Sequence, residues 1–174
     1  MRPDDEFAEL FDEVYPGLCR FLVCFLGSHH LAQDIAQDAF LRLFNQGQKA
    51  AAGQEARFWL YRVARNLALN EIDKRKTRQS LGQRIEELFQ RDQLNPAREL
   101  EQEQQTQRLF GLLQTLPEQQ RASLLLREQS EMKYREIAEV LGITESKVKV
   151  DIFRARCALR AKWKELESLT RPEV

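Results

Sequence analysis

The architecture of this chain turns on the stretch Tyr134-Arg-Glu-Ile-Ala-Glu-Val-Leu-Gly-Ile-Thr-Glu-Ser-Lys-Val148. Tyr134, Ile137, Ala138 and Leu141 fall at helical spacing, Gly142 supplies a sharp turn, and Thr144 stands where a following helix needs a cap. Two short helices joined through a glycine make a helix-turn-helix, a device for entering a DNA groove. Past the turn, Val148, Ile152, Ala155, Leu159 and Leu166 form one apolar stripe. Lys147, Val150, Arg154 and Cys157 point the other way, with Lys149 and Phe153 at the edges. A buried helical hairpin with a solvated charged face would show the same pattern.

Outward from this unit the chain reads as helix throughout, and strand signals are almost absent. Pro117 opens a helix over Glu118–Glu128 that carries Leu124, Leu125 and Leu126, and another runs from near Ala97 through Leu109, Leu112, Leu113 and Leu116. Residues 79–106 are rich in Gln and Glu and interrupted by Asn95-Pro96, which predicts a flexible linker with a short amphipathic turn at Ile85, Leu88 and Phe89. At the other end Phe7, Leu10, Phe11, Val14, Leu18, Phe21, Leu22 and Phe25 repeat at threes and fours, with a break or kink expected at Pro16-Gly17. A second helix is predicted over Leu31–Asn45, a glycine-bracketed loop over 47–53 and a long helix over Glu55–Thr77. The expected fold is all-α: two small helical domains, 1–78 and 107–174, joined by the linker 79–106, the second containing the helix-turn-helix.

A length of 174 residues and 43% hydrophobic content suffice for packed cores, and the formal net charge is zero. That neutrality hides a partition. Residues 1–38 hold eight acids and two bases, net −6; residues 57–78 hold seven bases and two acids, net +5; residues 147–164 hold seven bases and Asp151 alone, net +6. A phosphate backbone responds to local charge, so two separated basic patches keep nucleic acid in view.

Cys19, Cys24 and Cys157 show no C-x-x-C spacing, which fits a reducing, cytoplasmic interior. No apolar run is long enough for membrane insertion. His29 and His30 beside Cys24 invite a metal, yet adjacent histidines do not easily face one point and no second ligand pair follows; a plain inter-helix loop and no metal are expected. Paired catalytic carboxylates, a nucleophile with its base and a phosphate-cradling glycine loop are not found, so neither enzyme chemistry nor a cofactor is expected.

On the helix after Leu31, residues Leu31, Ile35, Ala39 and Leu43 supply a core stripe, while Asp34, Gln37, Asp38 and Leu41 fall on another face. Asp34 and Asp38, like charges four apart, cost an isolated helix a few tenths of a kcal/mol that a partner could repay. Phe40 and Phe44 add apolar surface beyond one stripe, as in an interface of apolar anchors with a charged rim; the competing reading puts both in the core. On the next helix Arg62, Asn66 and Asp73 share a face, with Arg65 and Lys74-Arg75-Lys76 nearby. Aromatic and cationic residues so mixed suit unpaired DNA. Trp59 is assigned to packing, Arg62 and Asn66 to function.

Four motifs occur in order: Asp34-Ile-Ala-Gln-Asp-Ala-Phe-Leu-Arg-Leu, Trp59-Leu-Tyr-Arg-Val-Ala-Arg-Asn66, Leu116-Pro-Glu-Gln-Gln-Arg, and Glu136-Ile-Ala-Glu-Val-Leu-Gly through Phe153-Arg-Ala-Arg156. Together they resemble the extracytoplasmic-function group of bacterial RNA polymerase sigma factors over nearly the whole chain. The resemblance implies a promoter-specificity factor that binds core RNA polymerase. Its polymerase-binding residues would be Asp34, Gln37, Asp38, Phe40, Leu41 and Phe44, against the clamp helices of the largest subunit. Arg62, Arg65, Asn66, Lys74 and Arg75 would contact the minus-ten element, with the loop 47–54 holding a flipped base. Lys147, Lys149, Val150, Phe153 and Arg154 would contact the minus-thirty-five element, and the second domain would touch the polymerase flap. The family's further usual partner is an anti-sigma protein.

The chain departs from that family at one place. Thr, Ser and Arg, or another polar or basic residue, usually stand where it has Lys147, Val150 and Asp151. An acid among phosphates weakens binding, unless it accepts from cytosine N4 or orients an arginine. Two other readings remain open on the residues: a stand-alone helix-turn-helix regulator, which requires a palindromic site, and a helical adaptor without salt-dependent DNA affinity.

Overall fold

The computed structural model describes residues 3–46, 53–80 and 99–170, and among these the chain forms seven helices and no strand. They are α1 (Pro3–Leu26), α2 (His29–Asn45), α3 (Gly53–Ser80), α4 (Glu99–Gln114), α5 (Glu118–Glu128), α6 (Tyr134–Leu141) and α7 (Glu145–Thr170).

Helices α1 to α3 pack against one another as a first lobe. On α1 the stripe of Val14, Leu18, Phe21, Leu22 and Phe25 is buried, and each such side chain contributes about 1.5–3 kcal/mol. That sum exceeds the roughly 3 kcal/mol an interior proline costs. The helix therefore continues through Pro16, which faces solvent, and the expected break at Pro16-Gly17 does not occur. Phe21 is ringed by Phe25, stacked at 5.6 Å, and by Tyr61 of α3, edge-on at 5.6 Å.

The second helix starts two residues earlier than expected. Ser28 is extended, and its Oγ accepts from the Leu31 N–H at 3.4 Å, satisfying a donor that the first turn leaves free. His29 and His30 thus open α2 instead of forming a loop. Among the described residues, no group of three His, Cys, Asp or Glu stands where it could hold a metal ion. Residues 47–52 of the expected glycine-bracketed loop lie outside the described residues, and α3 runs longer than the expected Glu55–Thr77.

The second lobe is α4 to α7, centred on the packing of α5 against α7. Its helix-turn-helix follows the sequence closely. Gly142 takes φ +66°, in the left-handed region where a side chain is strained, and Ile143 N–H reaches back to the Ala138 carbonyl at 3.0 Å. Thr144 Oγ1 accepts from the Lys147 N–H at 3.2 Å, capping α7. Val148, Ile152 and Ala155 of the predicted stripe are buried, Leu159 is half-buried, and Leu166 lies at the surface. Because α4 begins at Glu99, the last part of the expected linker is helix; Ile85, Leu88, Phe89 and Asn95-Pro96 lie outside the described residues.

The two lobes touch, so they are not merely tethered. Helix α1 meets α4 and α5, and α3 meets α6. Arg121 of α5, almost wholly buried, lays its guanidinium 4.7 Å from the centre of the Phe25 ring. Gln114 Nε2 donates to the Phe25 carbonyl at 3.1 Å while its Oε1 accepts from Arg121. Desolvation by burial lowers the pKa of the Arg121 guanidinium, and Glu118 opposes that shift.

Candidate nucleic-acid and polymerase interfaces

Helical periodicity decides what α7 presents. With Val148, Ile152 and Ala155 turned into the core, Lys149, Val150, Phe153 and Arg154 come out on the opposite side, all exposed. Lys149 Nζ sits 5.7 Å from the Tyr134 ring centre. Asp151 corrects the sequence reading. It is fully buried, and its Oδ1 accepts from Lys147 Nζ one turn earlier. A carboxylate so placed neither faces phosphates nor reaches a base edge, and Lys147, half-exposed, is held by it. The exposed face formed by Lys149, Val150, Phe153 and Arg154 therefore carries two cations and two apolar side chains, and Asp151 is not part of it.

On α3 the five expected minus-ten residues lie along one helix but in different settings. Arg62 and Asn66 are exposed and Arg65 is half-buried. Lys74 and Arg75 each lie 3.9 Å from Glu71, and α3 continues past them. Several cations on this helix are engaged by the second lobe. Arg57 Nη2 donates to the Ser130 carbonyl at 3.0 Å, Arg62 Nη2 to the Glu139 carbonyl at 2.7 Å, and Arg65 Nη2 to Gln119 Oε1 at 2.9 Å. Lys76 Nζ donates to Glu118 Oε1 at 2.6 Å, a bond that raises the ammonium's pKa, and Gln54 Nε2 donates to Glu136 Oε1 at 2.8 Å. Desolvation lowers the pKa of Arg65, with Glu118 opposing. No local sequence pattern pairs Arg57, Lys76 and Gln54 with the second lobe, because their partners lie 42 to 82 residues away.

The third surface is α2. Asp34, Gln37, Leu41 and Phe44 are exposed and Asp38 is half-exposed, with Leu41 at 60% and Phe44 at 56%. Phe40 is the exception. Only 3% exposed, it sits edge-on to Phe7 at 6.0 Å and to Phe11 at 4.9 Å, in the core side of an aromatic cluster. It cannot serve as an exposed anchor; Phe44 can. The Asp34–Asp38 repulsion is offset within the helix itself, since Arg42 donates twice to Asp38 at 3.1 Å; His30 Nδ1 lies 3.1 Å from Asp34. A groove of about 910 Å³ opens between α2 and α3, bordered by Asp34, Asp38, Arg42, Asn70 and Lys74.

Cys19 and Cys24 are half-buried, and burial raises both thiol pKa values; Cys157 is exposed on α7.

The sequence of this chain matches two family models, Sigma-70 region 2 over residues 10–78 and Sigma-70 region 4 over residues 106–159. It is 30% identical over 162 residues to the ECF RNA polymerase sigma factor SigM of Bacillus subtilis (strain 168), covering 92% of this chain and 94% of that protein. The chain belongs to the ECF RNA polymerase sigma factors. The RNA polymerase sigma factor YlaC of the same organism is 31% identical over 164 residues, 92% of this chain and 93% of that one. Two solved structures share the fold: the sigma factor RpoE in complex with the anti-sigma factor NepR from Bartonella quintana, and CnrH in complex with the cytosolic domain of CnrY. The first gives a TM-score of 0.70 at 24% identity, covering 95% of this chain and 98% of that one; the second gives 0.68 at 22%, covering 91% and 88%.

As an ECF sigma factor the chain is a regulatory protein that directs transcription initiation with RNA polymerase, and the stand-alone regulator is not favoured. The region 2 match spans most of α1 and nearly all of α3, and the region 4 match runs from α4 into the middle of α7. Among the described residues, no helix of this sigma factor is long and apolar enough to cross a membrane.

Proposed function

We propose that the first lobe docks on the clamp helices of the polymerase largest subunit through Asp34, Gln37, Asp38, Leu41 and Phe44. The exposed pair Leu41 and Phe44 would supply the apolar anchors and the carboxylates the rim. The α3 strip of Arg62, Arg65, Asn66, Lys74 and Arg75 binds the opened minus-ten element. Cations and an amide along one helix suit an unpaired strand, whose phosphates and base edges are both accessible. The exposed face of α7, with Lys149, Val150, Phe153 and Arg154, enters the major groove of the minus-thirty-five element, while Lys147 supports it from its pair with Asp151. The second lobe also contacts the polymerase flap. An anti-sigma protein restrains the chain in the cytoplasm; the binding of RpoE by the anti-sigma factor NepR supports that kind of partner. No step requires a catalytic group or a cofactor.

The observation that carries this reading is the pairing of two basic helices on two lobes, α3 and α7, each overlapping a different sigma-region match. It has a geometric consequence. Arg62 and Arg65 of the strip, with Arg57 and Lys76 beside them, are held by α5, α6 and the segment between them, so the minus-ten strand reaches those cations only after the second lobe moves off them.

The test is promoter opening by reconstituted holoenzyme, read by permanganate reactivity of unpaired thymines. Arg62→Ala and Asn66→Ala should lower reactivity around the minus-ten element while upstream protection persists. Unchanged reactivity in both variants would remove α3 from strand binding.

A further inference from the structure

Of the exposed set Lys149, Val150, Phe153 and Arg154 on α7, two side chains are apolar. Phe153 is 68% exposed and Val150 is 42% exposed, three residues apart and hence neighbours on one face. Lys149 and Arg154 flank them, and residues 147–164 carry a net charge of +6 whose one acid, Asp151, is turned into the core. The surface is therefore built for a polyanion, yet its centre offers carbon where hydrogen-bonding groups would be expected.

The major groove holds one apolar group at its base edges, the 5-methyl of thymine. Neither Val150 nor Phe153 can donate to guanine or accept from cytosine, and covering a methyl removes apolar surface from water on both sides. We infer that Val150 and Phe153 form a methyl-sensing patch, and that the upstream element this chain reads contains at least one thymine whose 5-methyl they cover. The inference rests on the assignment of α7 to the minus-thirty-five element and specifies the base chemistry read there. It also gives the departure at Val150 a role: a valine in place of a polar residue exchanges hydrogen-bond readout for methyl contact.

The experiment uses holoenzyme and a promoter fragment obtained by selection from a randomised library. Each thymine of the upstream element, on either strand, is replaced singly by deoxyuridine, which deletes the methyl and leaves the base pair intact. At one or two positions binding should weaken roughly fourfold, the factor expected for one buried methyl. At those positions Val150→Ala or Phe153→Ala holoenzyme should bind the two probes equally. Val150→Thr, close to isosteric but polar, should give an intermediate ratio. Both side chains are exposed, so the variants should unfold at the parent's temperature.

An upstream element without thymine, deoxyuridine probes that bind as the parent does, or a methyl effect that persists unchanged in both alanine variants would overturn the inference. If instead scrambling the whole upstream element leaves binding unaltered, the assignment of α7 itself fails, and the patch with it.

Discussion

Arg62 Nη2 donates to the Glu139 carbonyl at 2.7 Å, joining the middle of α3 to the end of α6. The same guanidinium is one we assign to promoter DNA, so in this arrangement protein and nucleic acid compete for it. Neighbouring contacts repeat the relationship, with Arg65 on Gln119 and Lys76 on Glu118. Free chain should therefore bind an unpaired minus-ten strand weakly. The Lys76–Glu118 pair is exposed and screened by solvent, so loosening it together with the part-buried Arg65–Gln119 bond should shift the balance. A Glu118→Gln, Gln119→Ala double variant is expected to bind a minus-ten oligonucleotide several-fold more tightly than the parent in the absence of polymerase, measured by fluorescence anisotropy. Equal affinities would mean that these contacts do not mask the strip.

Phe40 and Phe44 lie one helical turn apart and should behave oppositely. Phe40→Ala empties a site in the aromatic cluster of Phe7, Phe11 and Tyr15, and is expected to cost about 3–5 kcal/mol of stability. Phe44→Ala removes an exposed ring and should leave thermal unfolding within about a degree or two while weakening core-polymerase binding. Thermal melts beside a polymerase pull-down separate the two. A Phe44→Ala variant that binds core as the parent does would take α2 out of the polymerase interface.

Gly142→Ala isolates backbone strain, because a Cβ there meets nothing within 4 Å and only the φ of +66° opposes it. A left-handed alanine costs roughly 1–2 kcal/mol. Denaturant unfolding should show that loss, and Gly142→Asn a smaller one. Loss of specific promoter binding should follow only as far as the lobe unfolds.

Arg154→Ala should lower the salt dependence of promoter binding. Without the guanidinium one phosphate is no longer neutralised, which reduces the slope of log K against log salt by about one unit. A slope equal to the parent's would move Arg154 off the backbone.

The helix-turn-helix was legible because its signals are local: Gly142, Thr144 and the 148/152/155 stripe act within a few residues. The α1 stripe was equally clear, and Pro16 misled only because burial of Leu18, Phe21 and Leu22 outweighs a solvent-facing proline. Asp151 was readable too. At 100° per residue it falls beside Ala155 at the edge of the Val148, Ile152 and Ala155 stripe, on the core side, but an acid is ordinarily assigned to solvent. Phe40 and Phe44 share a helix face and both meet Phe7 of α1, and the arrival of Phe11 and Tyr15 against Phe40 decides which of them is covered. The inter-lobe bonds were not legible at all, since they depend on how two lobes with separate local signals come together.

The sharpest check on promoter recognition by two basic helices is run-off transcription by core polymerase supplied with the purified chain. We expect transcripts from defined start sites on a promoter library, dependent on added chain and abolished when the upstream or minus-ten element of a selected promoter is scrambled. A complex demonstrably formed with core that starts no specific transcript on any member of the library would contradict this assignment.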